Sequence, residues 1–345
     1  MRPAPLAGLS LSPTWLRGGA WRDAPQRARE YVAGAGAIAV AQRAERAGWD
    51  YLLKPDVPAL PLVRAGRGAE FFGPDPLTLM SVIAGATERI RLFPTCSTTF
   101  SRPYQLAREL RSLDALSGGR AGWNAVWSLA GHDNFGLVRE DAPATRLAAA
   151  NAALAALHDL WSGFDADGLV ADAATGEFAR LERLRVGDAQ LAAGVQGPLT
   201  LPGRGALPMM TAAGSPLMLD FAARWADSMF AATGNVAAAR SLATDVSRRA
   251  LEHGRAADVV GVHPGIIMSV RSGGAAPLPE ADGAGARHFV AAGTPEEVAA
   301  RVAEFLHDSD APGFVALPFG GWESLELALE EVLPRLRARL GAATT

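Results

Sequence analysis

Residues 113–124 read Leu-Asp-Ala-Leu-Ser-Gly-Gly-Arg-Ala-Gly-Trp-Asn. The first four close an apolar-periodic stretch that predicts a helix over 104–116. Gly118 and Gly119 follow where a helix needs a left-handed residue to stop. The chain then turns into an apolar run over 121–128, a buried strand. This unit, a helix stopped by glycines and followed at once by a strand, recurs in both directions along the chain.

Toward the amino terminus, 90–98 reads as a strand. A helix over 76–87 precedes it, started by Asp75 as N-cap and Pro76 at the first helical position. Before these come a strand at 51–54 stopped by Pro55, a helical stretch over 28–47 ending at Gly48, and a short strand at 6–11. Toward the carboxyl terminus, Leu147, Ala150, Leu154, Leu157 and Trp161 form one apolar helical stripe. The segment 162–204 is rich in turn residues and reads as an excursion with a small hairpin. Strands are then expected at 207–213, 228–233, 259–270 (interrupted by His263, Pro264 and Gly265) and 313–318. Helices are expected over 215–226, 236–252, 295–307 and 322–340, with 271–285 as loop. Eight strand–helix units with buried strands predict a parallel sheet, most economically closed as a (β/α)8 TIM barrel. The alternative is an open doubly wound sheet, but no GxGxxG follows the first strand. A single domain spanning 1–345 is the expectation.

Composition narrows the function classes. About half of the 345 residues are apolar and the formal net charge is -3, so nothing suggests a nucleic-acid footprint. One cysteine, Cys96, excludes an intrachain disulfide or a cysteine-based zinc site. No membrane span and no signal peptide are read, and a cytoplasmic, reducing location is expected. The six histidines are scattered, no paired carboxylates suit glycoside hydrolysis, and no GxSxG elbow is present. No metal site is expected.

In a barrel of this kind, chemistry sits at the carboxyl ends of the strands. That rule selects Lys54 and Asp56, Ser97 to Thr99, Trp123, Asn124, Trp127 and Ser128, Gly214 and Ser215, His263, and Pro318 with Phe319. Uncharged hydrogen-bonding groups and aromatics with one acid suit a flat, polar-edged cofactor that carries its own chemistry. Each position also has a plainer reading. Asp56 can cap a loop, the Ser97–Thr99 hydroxyls can be ordinary strand residues, and Trp123 and Trp127 can be packing residues. His263, beside Pro264 and Gly265, reads equally as a loop residue. A buried Asn124 needs partners, which makes it harder to explain as packing. Gly214-Ser215-Pro216 can seat an anion at a helix N-terminus, although many capped helices look the same.

The stretch 113–124 closely resembles the LDHLSGGRAGWN signature of flavin-dependent monooxygenases in the bacterial luciferase superfamily. The similar subgroup includes nitrilotriacetate, dibenzothiophene-sulfone and pristinamycin-type enzymes. Segments 19–22 (GAWR), 76–79 (PLTL), 86–90 (ATERI), 97–104 (STTFSRPY), 196–199 (QGPL), 213–215 (AGS) and 293–298 (GTPEEV) resemble family segments in family order. The resemblance implies a luciferase-like barrel that uses reduced FMN as cosubstrate, supplied by a separate NAD(P)H-dependent flavin reductase. Dioxygen would add at the flavin C4a position, and the peroxyflavin would oxidise a small organic substrate. A homodimer is implied. Asp56, Thr98, Asn124, Ser128, Gly214 and Ser215 match cofactor-binding positions, with His132 or His263 as candidate proton donors.

The sequence departs from the family at three places. Pro143 and Leu147 stand where a histidine and a tyrosine usually contribute to FMN binding. Pro216 replaces a serine of the phosphate turn, removing a hydroxyl and an N–H. A long insertion before the last strand is reduced to 273–285, which predicts an open mouth or a lid from a partner subunit. These departures leave two alternatives open: a deazaflavin-dependent oxidoreductase of the same fold, and a silent barrel that has lost its flavin.

Overall fold

The computed structural model describes residues 4–140, 142–279 and 287–342. Its strands are β1 (Leu6–Ser10), β2 (Tyr51–Lys54), β3 (Arg91–Ser97), β4 (Trp123–Val126), β5 (Leu169–Asp172), β6 (Glu177–Ala179), β7 (Met209–Ala213), β8 (Ser228–Ala231), β9 (Gly261–Val270), β10 (Phe289–Gly293) and β11 (Gly313–Phe319). Eight of them, β1, β2, β3, β4, β7, β8, β9 and β11, pair in parallel in that order, and β11 returns to β1 to close the ring. The barrel is therefore closed, as its strand–helix alternation predicts, and the open-sheet alternative falls. β5 and β6 form the expected small antiparallel hairpin in the excursion.

Three features differ from the sequence reading. The helical stretch over 28–47 is two helices, Pro25–Val32 and Ala35–Ala47, because Gly34 takes φ 101° between them. His263, Pro264 and Gly265 do not interrupt β9, which runs unbroken for ten residues. The interior of a barrel favours such a run: Gly265 has no side chain where His288 and Phe230 crowd in, and a Cβ there would lie 2.5 Å from His288 Nδ1. Finally, β10 adds a strand the periodicity does not show. It pairs with the upper half of β9, beyond the point where β8 ends. The shortened insertion before the last strand leads into β10, and its residues 280–286 lie outside the described residues.

The deciding stretch has a clear physical role. Gly118 (φ 69°) and Gly119 (φ 85°) turn the chain out of the helix Pro103–Leu116. The guanidinium of Arg120 then donates to five acceptors: Ser117 O, Ala84 O, Thr87 O, Ile90 O and Thr87 Oγ1, at 2.7–3.0 Å. It joins the end of the helix Pro76–Ala86 to the entries of β3 and β4. Gly122 leaves room for the Phe93 ring, which a Cβ would meet at 2.4 Å. Trp123 is fully buried edge-to-face against Trp161, and Trp127 packs on Phe221 at 5.0 Å between ring centroids. Both tryptophans are packing residues. The turn thus sets the register that delivers Asn124 to the barrel interior.

Candidate active site

The carboxyl ends of β2, β3 and β4 converge on one cluster of polar side chains. Asn124 on β4 lies opposite Thr95 on β3, and its side-chain amide donates to Thr95 Oγ1 at 2.9 Å. The other end of that amide, Oδ1, is buried and finds no partner within the chain. Turning the amide over only exchanges the ends, so one polar atom stays unmatched in either assignment. An unpaired buried polar group costs about 1–3 kcal/mol. Above this pair, Ser128 Oγ donates to Ser97 Oγ at 2.8 Å and Ser128 N–H donates to Thr99 Oγ1 at 3.0 Å. Thr98 N–H donates to Val126 O, 2.9 Å away, and its hydroxyl reaches the same carbonyl at 3.3 Å.

The loops beyond these strands are tied together. Asn134 donates to Pro58 O at 2.8 Å, across from the loop after β2. Gly131 (φ 98°) passes so close to the same carbonyl that a Cβ would clash at 2.7 Å. His132 begins the short 3-10 turn His132–Phe135 and is buried, with its ring edge-to-face on Phe100 at 5.1 Å. Phe100 in turn stacks on Phe135 at 4.2 Å. Asp56 sits on the loop after β2. Desolvation by surrounding protein raises its carboxyl pKa, Lys54 opposes that shift, and Asp75 reinforces it. Burial likewise lowers the Lys54 ammonium pKa, with Asp56 and Asp75 opposing.

β7 pairs with β4, so Gly214 and Ser215 stand beside this cluster. Ser215 N-caps the helix Pro216–Trp225 by accepting from Met218 N–H at 3.4 Å. Gly214, Ser215 and Pro216 are all exposed, so the turn is accessible to an anion. Pro143 opens the helix Pro143–Ser162 and Leu147 lies in its second turn, so the side chains usual at those two positions are absent from the start of that helix.

The structure thus brings Asp56, Thr98, Ser128, His132, Gly214 and Ser215 to one end of the barrel, whereas Asn124, expected at the end of its strand, is the second residue of β4 and lies deeper in the interior. His263 is not at that end, so it is not placed to serve this site as the proton donor the sequence suggested. It is the third of the ten residues of β9 and borders an opening lined by the strand starts at Leu6, Tyr51, Arg91, Ser228 and Gly261, toward the amino-terminal pole. Its Nδ1 is 2.7 Å from Tyr51 Oη, and burial lowers its pKa to about 4. The His-Pro-Gly triplet reads in sequence as an interruption of the strand, which put His263 among the strand-end candidates. Two residues at the mouth carried no such signal. His288, just before β10, stacks on Phe230 and hydrogen-bonds Gly265 O at 3.2 Å. Arg17, half-buried after β1, lies near enough to lower the His288 pKa further, after burial itself.

These residues fit the ring of a flavin better than its phosphate. An unmatched amide atom flanked by hydroxyls on one wall suits a flat ring with donors and acceptors at its edge. The phosphate turn offers Ser215, but Pro216 has no N–H to add.

A family model described as "Luciferase-like monooxygenase" matches residues 16–276. The chain belongs to the luciferase-like monooxygenase family. Among characterised relatives it is similar to dibenzothiophene-sulfone monooxygenase of Rhodococcus erythropolis, 32% identical over 233 residues, covering 63% of this chain and 51% of that protein. It is also similar to nitrilotriacetate monooxygenase component A of Aminobacter aminovorans, 31% identical over 204 residues, covering 57% and 44%. The chain therefore spans about half the length of the curated relatives it matches. A solved long-chain alkane monooxygenase shares the fold, with a TM-score of 0.85 at 20% identity, covering 98% of this chain and 92% of that one. Among the described residues, no group of His, Cys, Asp or Glu could hold a metal, and no helix is long and apolar enough to cross a membrane.

Proposed function

We propose that this luciferase-like chain, acting as one barrel unit over 1–345, is an FMN-dependent monooxygenase. It takes up reduced flavin from a separate NAD(P)H-dependent flavin reductase and oxidises a small organic substrate with dioxygen, inside the cell and as a homodimer. The observation that carries this reading is Asn124: a buried amide in the barrel interior, below the polar strand ends, with one end bonded to Thr95 and the other unmatched. Left without a partner that atom would cost about 1–3 kcal/mol, and the polar edge of a bound ring would supply one.

Bound flavin supplies the reaction with dioxygen, and this chain's residues supply place and surroundings. Asn124 would hydrogen-bond the ring edge. Ser128 and Thr98 would line the same wall, with Asp56 over the mouth. The Ser215 turn would hold the phosphate weakly, which suits a cosubstrate that must leave after each turnover. His132, buried against Phe100 next to this wall, would hold or pass a proton to the leaving product.

Anaerobic titration with reduced FMN, followed by protein fluorescence, tests the reading. Saturable binding in the micromolar range, followed by oxygen-dependent reoxidation that a partner reductase sustains, is expected. No binding at hundreds of micromolar would overturn it. Pro216 favours one second reading, a deazaflavin held through other phosphate contacts, and the same titration with a deazaflavin distinguishes it.

A further inference from the structure

The barrel has a second opening at its other pole. A cavity of about 780 Å³ enters between the starts of the strands, lined by Tyr51, Phe93, Met210, Ser228, His263 and Pro312 among others. Tyr51, Phe93 and Met210 form an apolar floor and are themselves buried. His263 is only 5% exposed yet borders the cavity.

The hydrogen bonds at the floor favour one tautomer of His263. The Tyr51 hydroxyl has one proton, and it donates that proton to Phe314 O at 2.9 Å. Its contact with His263 Nδ1 at 2.7 Å therefore runs the other way: Nδ1–H donates and the tyrosine oxygen accepts. In that tautomer Nδ1 carries the ring proton and Nε2 is left with a bare lone pair. The backbone has been cleared for this pair. A Cβ on Gly8 would lie 2.5 Å from Tyr51 Oη, and one on Gly313 would lie 2.9 Å from His263 Nε2. Among the described residues no group donates to Nε2. The cavity rim carries four carboxylates against two guanidinium groups, Asp227 and Asp258 among the acids.

We propose that this amino-terminal pole is a second binding site, separate from the flavin site, for a small aromatic hydrogen-bond donor of the phenol class. Its ring would lie on Phe93 and Met210, and its hydroxyl would donate to His263 Nε2. An anion would meet an acidic rim and a lone pair, and a hydrocarbon would leave Nε2 unmatched, so neither suits the site.

Titration of the full chain with phenol, toluene and benzoate, followed by the imidazole ¹⁵N resonances of His263, tests this. The expected result is a free state with the proton on Nδ1, and a saturable shift of Nε2 with phenol at least tenfold tighter than with the other two. Ser228→Phe, at the rim and away from the pair, should abolish the shift. Tyr51→Phe, which frees the tautomer, should weaken phenol roughly fivefold to tenfold, about the worth of one hydrogen bond. A proton on Nε2 in the free protein, no saturable shift up to the solubility of phenol, or undiminished binding in Ser228→Phe would each overturn the proposal.

Discussion

Asn124 and Thr95 face each other across β4 and β3, and the 2.9 Å hydrogen bond between them satisfies only one end of the Asn124 amide. The unmatched end offers a hydrogen-bonding position inside the barrel. It also separates binding from stability. Asn124→Leu combined with Thr95→Val removes the unmatched atom without orphaning the Thr95 hydroxyl, so the flavin-free protein should keep its stability or gain up to about 1 kcal/mol. Reduced FMN should bind at least tenfold more weakly in the same variant. Thermal unfolding and anaerobic titration check the two signs. A variant that loses stability and keeps its affinity would show that Asn124 serves the barrel and not a cofactor.

The phosphate end gives the opposite expectation. Pro216 occupies the first helical position after Ser215, so the helix N-terminus lacks one N–H that an anion could use. Pro216→Ser restores that N–H and adds a hydroxyl. FMN affinity should rise about fivefold to tenfold, one new charge-assisted hydrogen bond. Riboflavin, which has no phosphate, should bind as before. Equal tightening of both would place the effect in the fold of the turn and not in anion contact.

His132 is buried at the mouth with its ring against Phe100. If it moves the proton in turnover, His132→Gln should lower kcat by about 10²-fold or more while reduced FMN binds unchanged. Unchanged kcat in a reductase-coupled assay would remove His132 from the chemistry.

What the sequence disclosed follows from where the determining forces are local. Asp75 and Ser215 are legible as helix starts because an N-cap acts within three residues, and both cap as read, on Thr78 and Met218. Asn124 is legible because an amide in a buried strand must have partners. β10 is not legible: Phe289–Gly293 is five residues, mostly half-buried, and is a strand only because the upper half of β9 is left without a neighbour where β8 ends. The place of His263 is hidden for a related reason. Whether a residue lies at the start or the end of a barrel strand depends on register against β8 and β11, set by residues far away in the chain. His288 and Arg17 come together at the mouth only through the closure of the ring.

The location of His263 has a consequence for acid stability. Burial lowers its pKa to about 4, below the ordinary histidine value of 6.5. Between these two pH values the unfolded chain binds a proton that the folded chain refuses, so folding weakens as pH falls. This contribution is complete above about pH 6.5, declines through the window from 6.5 to about 4, and is constant below it. Its full size is about 3 kcal/mol. His263→Gln should flatten the pH dependence of unfolding free energy across that window. Retention of the full slope would assign it to other groups.

Arg120 tests whether the 113–124 stretch is kept for chemistry or for architecture. Its guanidinium reaches no residue of the candidate site. All five of its hydrogen bonds go to the helix end at Ala84 and Thr87, to Ile90 before β3, and to Ser117. Four of the acceptors are backbone carbonyls near the end of a helix or a turn, which have few other partners. A lysine has one ammonium and cannot serve a fork of acceptors spread over two elements. Arg120→Lys should therefore lower the unfolding free energy by about 2–3 kcal/mol. Arg120→Met should lower it further, because it leaves every acceptor unmatched. In protein that remains folded, the affinity for reduced FMN should change less than twofold, since Asn124 is held by its own pairing with β3 and β7. A large loss of affinity at unchanged unfolding temperature would mean that the arginine acts on the site directly. The expected pattern, stability lost and binding kept, assigns the arginine of the signature to the turn that sets strand register, and its asparagine to the ligand.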